Sequence, residues 1–232
     1  SRTTVTFSAT EGETTFADLV SNNVHSIVLN GEHLDPLIHQ DHRITLPQLA
    51  AHNTLTVEAD CQYMHTGEGL HRFVDPADSQ AYCYSQFEVP DARRVFTTFE
   101  QPDLKATFTF TVTVTDSLVS SDGRTIPLGV WCRASLLDSL DSDRILDITR
   151  AGFTFFEDAY GIPYPFKTYD QIFVPEYNAG AMENAGCVTF RDQYIFRTRP
   201  TTADLEARAN TILHELAHMW FGDLVTMKWW ND

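Results

Sequence analysis

The first half of the chain alternates apolar and polar residues with the period of β-strands. In "ATFTFTVTV" (106–114), phenylalanine or valine occupies every second position and threonine stands between. "LTVEA" (55–59) repeats the alternation, and the pair Asn30-Gly31 after an apolar run is typical of a two-residue hairpin turn. Residues 1–114 show no convincing helical period. The pattern predicts an antiparallel β-domain with one face exposed to water.

The second half mixes helices and strands. "SDRILDITRAGFTFFEDAYG" predicts a helix that Gly161 and Pro163 end, and "YDQIFVPE" and "CVTFRDQYIF" predict strands. The apolar side of this first helix is expected to consist of Ile145, Ile148, Gly152, Phe155 and Ala159.

A second helix is predicted to begin near Thr201, which forms an approximate capping box with Asp204, and to stop at Gly222. Its buried stripe is expected to be Leu205, Ala209, Ile212, Leu213, Leu216 and Trp220. The fold class predicted is therefore α+β with two domains, residues 1–118 and 119–232, with the boundary placed to within several residues.

The net negative charge of the chain argues against anionic partners. The 232 residues carry a formal net charge of −16, from 16 basic and 32 acidic side chains. Such a chain repels the phosphates of nucleic acids and of anionic lipids, so we expect neither as a partner. No apolar run is long enough to cross a membrane.

The four cysteines are far apart and form no CxxC pair. Their spacing fits neither a zinc knuckle nor a dense disulfide framework, so it favours a reducing compartment and predicts a cytoplasmic location. They are Cys61, Cys83, Cys132 and Cys187.

The second helix carries the HExxH pattern in "HELAH". Residues four apart on a helix lie one above the other, so His214 and His218 can offer two imidazole nitrogens to one zinc ion. Glu215 points about 100° around the helix and can act as a general base without ligating the metal. On this pattern alone, two histidines that are simply solvated or packed in the core remain an alternative.

A single carboxylate, Glu183, stands among small residues in "NAGAMENAG" (178–186). Gly180 and Ala181 leave room for a ligand to approach the backbone of an edge strand or loop, and Glu183 would then bind a cationic group. A flexible surface turn is the alternative reading of the composition.

"GAMEN" followed by "HELAHMWFGDLVTMKWWND" resembles the aminopeptidase N family of zinc metallopeptidases, the gluzincins, in its bacterial type. "YSQFEVPDARRVFTTFEQPDLKATFTFTVTV" resembles the β-domain of that family. The resemblance implies a saddle- or sandwich-like β-domain followed by the first part of a thermolysin-like catalytic domain. It also implies one zinc ion per intact catalytic domain and peptide substrates with a free N-terminus.

The resemblance gives each matching residue a role. It implies that His214 and His218 bind zinc and that Glu215 is the general base. Glu183 would bind the α-amine of the substrate, and Gln86 and Glu88 would reach from the β-domain to the first substrate pocket and the amine. The residues expected to line the substrate edge are Gly180, Ala181 and Met182.

Two departures from the family limit this expectation. The third zinc ligand, a glutamate, and the transition-state tyrosine lie further beyond His218 than the 14 residues that follow it here. The join near Val114–Thr115 is also shorter than in the family, as if strands were missing. We therefore expect this chain to bind zinc weakly and to turn over poorly or not at all. A non-catalytic fragment or binding module with a partial metal site remains open, as does another hydrolase activity such as epoxide hydrolysis.

Overall fold

The computed structural model describes residues 1–88, 90–106 and 116–229. These residues form two compact units, each with its own hydrophobic core, which confirms the predicted two-domain α+β class. The first unit comprises Ser1–Phe73 and Ala81–Leu104, and the second comprises Val74–Gln80 and Lys105–Asp232.

The first unit is built from β-strands. Within the part of it that the structure describes there is no α-helix, only short 3-10 turns. The strands are β1 (Arg2–Ser8), β2 (Thr15–Asp18), β3 (Asn23–Leu29), β4 (Glu32–Leu34), β5 (His39–Gln40), β6 (Arg43–Leu46), β7 (His52–Asp60), β8 (Gly69–Val74) and β9 (Ala81–Gln86).

Two antiparallel sheets enclose the core of this unit. The four-stranded sheet has the order β1-β7-β3-β4, the three-stranded sheet has the order β2-β6-β5, and β8 and β9 pair separately. One apolar cluster draws Leu55 and Val57 from the first sheet and Ile44 and Leu46 from the second. Because both sheets contribute to one cluster, the unit is sandwich-like as expected.

The predicted hairpin turn is confirmed. Leu29 pairs with Glu32, and the two residues between them have φ angles of 53° at Asn30 and 87° at Gly31, as the tight turn requires. The Asn30 amide also donates to Asn53 Oδ1 at 2.9 Å, which joins the turn to the start of β7. The strand predicted over 106–114 falls almost entirely outside the described residues.

The second unit is a mixed sheet with two helices. Its elements are β10 (Asp116–Val119), β11 (Thr125–Cys132), α1 (Ser142–Tyr160), β12 (Tyr169–Val174), β13 (Ala181–Met182), β14 (Cys187–Arg191) and α2 (Thr202–His218). The strand order is β10-β11-β12-β14-β13, with the three central strands parallel and both outer strands antiparallel. Helix α1 is the crossover that joins the parallel strands β11 and β12.

The predicted domain boundary near residue 118 falls inside β10. Strand β10 pairs with β11 of the second unit, whereas the compact units divide between Leu104 and Lys105. Residues 107–115 lie outside the described residues, so the boundary stays a prediction.

Helix α1 has the predicted bounds but a different buried face. Gly161, with φ 64°, ends the helix, and its N–H donates to Glu157 O at 3.0 Å. Phe155 and Ala159, both expected on the apolar side, are exposed (Phe155 by 65%), whereas Phe153 is buried. The face is rotated because two polar residues are buried with partners: Gln171 donates to Thr149, and Glu157 accepts from the N–H groups of Ser121 and Tyr164.

Helix α2 begins as predicted and ends earlier than predicted. Thr201 and Asp204 form a full capping box. The helix ends at His218, not at Gly222, because the chain turns after Met219 to bring the Phe221 carbonyl back to the His218 ring.

Helices α1 and α2 pack closely at Gly152. A Cβ atom at this position would lie 2.6 Å from Leu213 Cδ2 and 2.8 Å from Leu216 Cδ2. The absence of a side chain on α1 therefore allows the apolar stripe of α2 to approach, which fixes the helix that carries the HExxH residues.

A buried ion-pair cluster joins residues 74–80 to the rest of the second unit. Arg133 donates to Asp75 at 2.5 Å and to Asp192 at 2.9 Å, and the hydroxyl of Ser135 also donates to Asp75. Asp75 is only 1% exposed.

Within the described residues, no helix combines the length and apolar character needed to cross a membrane.

We predict that Asp75 makes the second unit sensitive to acid. Hydrogen bonds from Ser135 and from the Ala77 N–H, together with Arg133, lower the pKa of Asp75 to about 2. Because the folded pKa lies below the unfolded value, the stabilisation is complete above about pH 4 and is lost as the pH falls toward 2. The free energy of unfolding of Asp75→Asn, measured with urea, should therefore change less across this window than that of the wild type.

Asp158→Asn, which replaces an exposed carboxylate on α1, is the matched control and should retain the wild-type pH dependence. An identical pH dependence in Asp75→Asn and the wild type would contradict the assignment.

Candidate metal-binding active site

Helix α2 presents two imidazoles that point to one location. The Nε2 atoms of His214 and His218 are 3.2 Å apart, and the rings lie at 82° to each other. Two nitrogen ligands of a tetrahedral zinc ion, each about 2.0–2.1 Å from the metal, are separated by roughly 3.3 Å. The pair therefore fits a shared zinc ion.

A backbone carbonyl orients the second imidazole. His218 Nδ1 lies 2.8 Å from Phe221 O, so a proton on Nδ1 is donated to that carbonyl and the lone pair stays on Nε2. The turn that supplies the carbonyl requires Gly222, which has a φ of 127° and whose Cβ would lie 3.2 Å from His218 Nδ1.

Glu215, which follows His214 in the sequence, is a buried carboxylate. It is 5% exposed, and its Oε2 atom has no hydrogen-bond partner among the described residues. Burial, followed by the negative charges of Glu183 and Asp223, raises the pKa of Glu215 to about 7, and His218 opposes the rise. A carboxylate with a pKa near neutrality can both accept and return a proton, as a general base must.

The "GAMEN" residues form the edge of the sheet beside this helix. Ala181 and Met182 pair with β14, and β13 has no second partner strand within the described part of the chain. Met182 leads directly to Glu183, whose Oε1 lies 3.8 Å from His218 Nδ1. The structure thus brings Glu183 to the HExxH residues and agrees with the edge strand considered for "NAGAMENAG".

Three contacts hold this edge in place. Arg191 donates from its backbone N–H to Gly180 O at 3.1 Å and from its side chain to Ala179 O at 2.9 Å. At the other end, the N–H of Gly186 lies 3.4 Å from Met219 Sδ, which links the turn to the end of α2. The position of Glu183 therefore depends on both the sheet and the helix.

Sequence reasoning missed one titratable group, Asp223. Burial and the charge of Glu183 raise its pKa to about 7, with His218 and Lys105 acting in the opposite direction. Its backbone N–H donates to His218 O at 3.1 Å, so the turn after α2 places it beside the imidazole. The sequence feature that could have indicated Asp223 is its position five residues after the second histidine, in the segment that ends the helix.

Two family models match the chain. The Peptidase M1 N-terminal domain matches residues 38–127, and the Peptidase family M1 domain matches residues 144–232. The chain belongs to peptidase family M1. The resemblance to the aminopeptidase N family in its bacterial type is thereby confirmed, together with the α+β organisation of an M1 N-terminal domain followed by the start of the M1 catalytic domain.

Several relatives of known name are similar to this M1 chain. Aminopeptidase N of Streptomyces lividans is 52% identical over 275 residues, which cover 99% of this chain and 32% of that protein. Aminopeptidase N of Rattus norvegicus is 29% identical over 71% of this chain and 22% of its own length. Tricorn protease-interacting factor F2 of Thermoplasma acidophilum is 47% identical over 41% of this chain and 12% of its own length. The chain thus spans a third or less of these relatives.

The matched stretch of the Streptomyces protein is longer than this M1 chain. The match runs over 275 residues, whereas 99% of 232 residues is about 230, so about 45 residues of the relative have no counterpart here. The short join predicted near Val114–Thr115 lies outside the described residues and stays a prediction.

The two predicted M1 substrate residues of the β-domain lie in the first unit. Gln86 ends β9, and its Oε1 accepts the backbone N–H of Phe87 at 2.8 Å and that of Glu88 at 3.2 Å. This local arrangement fixes the Gln86 side chain against its own backbone. The roles of Gln86 and Glu88 at the substrate amine remain predictions.

His214 and His218 of this M1 chain have a spacing that fits one zinc ion. Within the described residues, no group of three or more histidine, cysteine, aspartate or glutamate side chains is arranged to hold a metal ion. Catalytic zinc sites normally use three protein ligands and a water molecule.

We predict that Glu215→Gln stabilises the metal-free chain at alkaline pH. Because the folded pKa of Glu215 lies above the unfolded value, the wild type loses stability as the pH rises from about 4.5 to about 7, and the cost persists above that range. In chelator at about pH 8, the substitution should raise the free energy of unfolding by on the order of 2 kcal/mol.

Denaturant titration of Glu215→Gln measures the gain, and Glu206→Gln on the exposed side of the same helix should change stability by less than about 0.5 kcal/mol. A Glu215→Gln chain no more stable than the wild type at this pH would show that the carboxylate is not a buried charge.

Proposed function

We propose that this chain belongs to a zinc-dependent aminopeptidase that releases N-terminal residues from peptides. The observation that carries the proposal is the arrangement on α2, which carries two imidazole nitrogens 3.2 Å apart and the buried carboxylate of Glu215, while Glu183, directly after β13, lies 3.8 Å from His218. The membership in family M1 and the similarity to proteins named aminopeptidase N support the same activity.

His214 and His218 would hold the zinc ion. When bound, zinc lowers the pKa of a water ligand from about 15.7 to about 7 and polarises a carbonyl oxygen. The hydrogen bond between His218 and Phe221 O keeps the Nε2 lone pair directed toward the metal position. An intact catalytic domain would hold one zinc ion.

Glu215 would manage the proton of the reaction. Its carboxylate is largely removed from solvent and has a pKa near 7, so it can take a proton from the attacking water and return it to the leaving amine at neutral pH. Its burial also strengthens its interaction with the developing positive charge of the amine.

Glu183 would fix the N-terminus of the substrate. A carboxylate binds an ammonium group strongly where water is partly excluded, and the side chain of Glu183 is only 26% exposed. The free edge of β13, formed by Ala181 and Met182 after Gly180, would bind an extended peptide through backbone hydrogen bonds. The roles of Gln86 and Glu88 in binding the amine remain proposals that rest on the family resemblance alone.

The second candidate is a non-catalytic fragment or binding module with a partial metal site. The two-ligand count in the described residues favours it for this chain by itself, because two imidazoles bind zinc more weakly than three protein ligands. The cytoplasmic location likewise stays a prediction.

We predict less than one tightly bound zinc ion per 232-residue chain after dialysis, and little release of chromophore from an alanyl anilide.

In the catalytically competent protein that contains this sequence, Glu215→Gln should retain zinc and lower kcat by about 10²- to 10⁴-fold. Metal analysis measures the zinc content and the chromogenic assay measures kcat, with Glu206→Gln as the control for both. Full activity in Glu215→Gln would refute the proposed function.

We further predict that Glu183→Ala removes selectivity for a free N-terminus in the same competent protein. Loss of one charge-assisted hydrogen bond to the ammonium should lower kcat/KM for free peptides by roughly 10- to 100-fold. The slow cleavage of N-acetylated peptides should change little. Equal losses on free and acetylated peptides, measured side by side with Glu206→Ala, would argue against an amine-binding role.

A further inference from the structure

Of the five buried side-chain polar atoms that lack partners within the described residues, three belong to groups that interact electrostatically near the HExxH residues. They are the hydroxyl oxygen of Tyr169, Oε2 of Glu215 and Oδ2 of Asp223, each without a hydrogen bond among the described residues. Tyr169 is fully buried and Glu215 is 5% exposed. Buried polar groups are almost always hydrogen-bonded to protein or to ordered water, so three such atoms need an explanation.

The three groups lie in one region of the second unit. The ring of Tyr169 contacts the ring of Tyr164 at a centroid distance of 6.1 Å, and the Tyr164 hydroxyl lies 3.7 Å from the sulfur of Met219, one helical turn after Glu215. The negative charges of Glu215 and Asp223 both act on the Tyr169 hydroxyl, and that of Asp223 acts on Glu215. Each group is therefore within electrostatic reach of the other two.

The donors and acceptors do not balance without a further molecule. A phenol has one O–H to donate, whereas two ionised carboxylates only accept, so a direct bond would leave one carboxylate oxygen unpaired. One water molecule balances the set, because it accepts the proton of Tyr169 and donates one proton to each carboxylate. Three hydrogen bonds are the usual number for a buried water.

We propose that a single enclosed water molecule links Tyr169 to Glu215 Oε2 and Asp223 Oδ2, and that Tyr169 is a positioning residue for Glu215. The catalytic meaning of this position depends on the proposed function, in which Glu215 is the general base. With Oε2 held by the water, Oε1 is the oxygen that exchanges a proton.

A double-mutant cycle on stability tests the link in the metal-free 232-residue chain, in chelator at about pH 8. Tyr169→Phe should lower Tm by about 2–4 °C, because the water loses its donor. In the Glu215→Gln background the same substitution should cost less than half as much, because one of the water's acceptors has changed.

Tyr164→Phe is the matched control. Tyr164 is equally buried in the same aromatic cluster, but its hydroxyl donates to Thr168 O at 2.9 Å. Tyr164→Phe should lower Tm by the same amount in the wild type and in the Glu215→Gln background. The proposal is overturned if Tyr169→Phe leaves Tm unchanged or raises it, as removal of an unpaired hydroxyl would, or if its cost is equal in both backgrounds.

A crystal structure of the wild-type chain gives an independent test if Tyr169→Phe does not fold. Density for one water within about 3.2 Å of all three oxygens is expected. An empty space, or an anomalous signal that identifies a metal ion there, would overturn the proposal.

Kinetics separate this inference from the proposed function. In the competent protein, Tyr169→Phe should lower kcat about tenfold with KM unchanged, because the base is displaced while the substrate contacts remain. An unchanged kcat in Tyr169→Phe, with activity lost in Glu215→Gln, would refute the positioning role alone. Activity retained in Glu215→Gln would refute the proposed function, and the stability cycle would still decide whether the water is present.

Discussion

Helix α2 has to bury a carboxylate in order to bury its apolar side chains. Ile212, Glu215, Leu216 and Met219 have the spacing of one helix face, and all four are buried in the second unit. The core contact of the helix at Gly152 therefore cannot form without taking Glu215 out of water. The raised pKa of Glu215 and the direction of the two imidazoles, on the adjoining face, both follow from this single helical register.

The turn after α2 concentrates negative charge where the helix ends. Glu183 arrives from the sheet and Asp223 from the turn, so three carboxylates surround the region of His218. The negative charge of Glu183 contributes to the raised pKa values of both Glu215 and Asp223. Cations stabilise such a region, and under the proposed function a divalent metal ion and the ammonium group of a peptide would supply the positive charge.

Local signals in the sequence predicted most of the fold, because they act within a few residues. The hairpin at Asn30 and the capping box at Thr201 depend on neighbouring backbone groups, and both were confirmed. The buried face of α1 was predicted wrongly at Phe155, because apolar periodicity ignores polar residues such as Glu157 that are buried with partners from distant segments. The HExxH and "GAMEN" motifs were both found in the sequence, whereas Asp223 was missed because its burial arises only from the turn that follows the helix.

The length of β13 bears on whether this sheet edge can pair with the edge of another sheet. A strand edge with unpaired backbone groups can recruit the edge of another sheet, and long flat edges are the most hazardous. Here the edge strand is two residues long and is followed at once by a charged residue, Glu183. Such an edge offers too few backbone groups to template a second sheet. Under the proposed function, the same short edge would also limit how much of a peptide backbone is held.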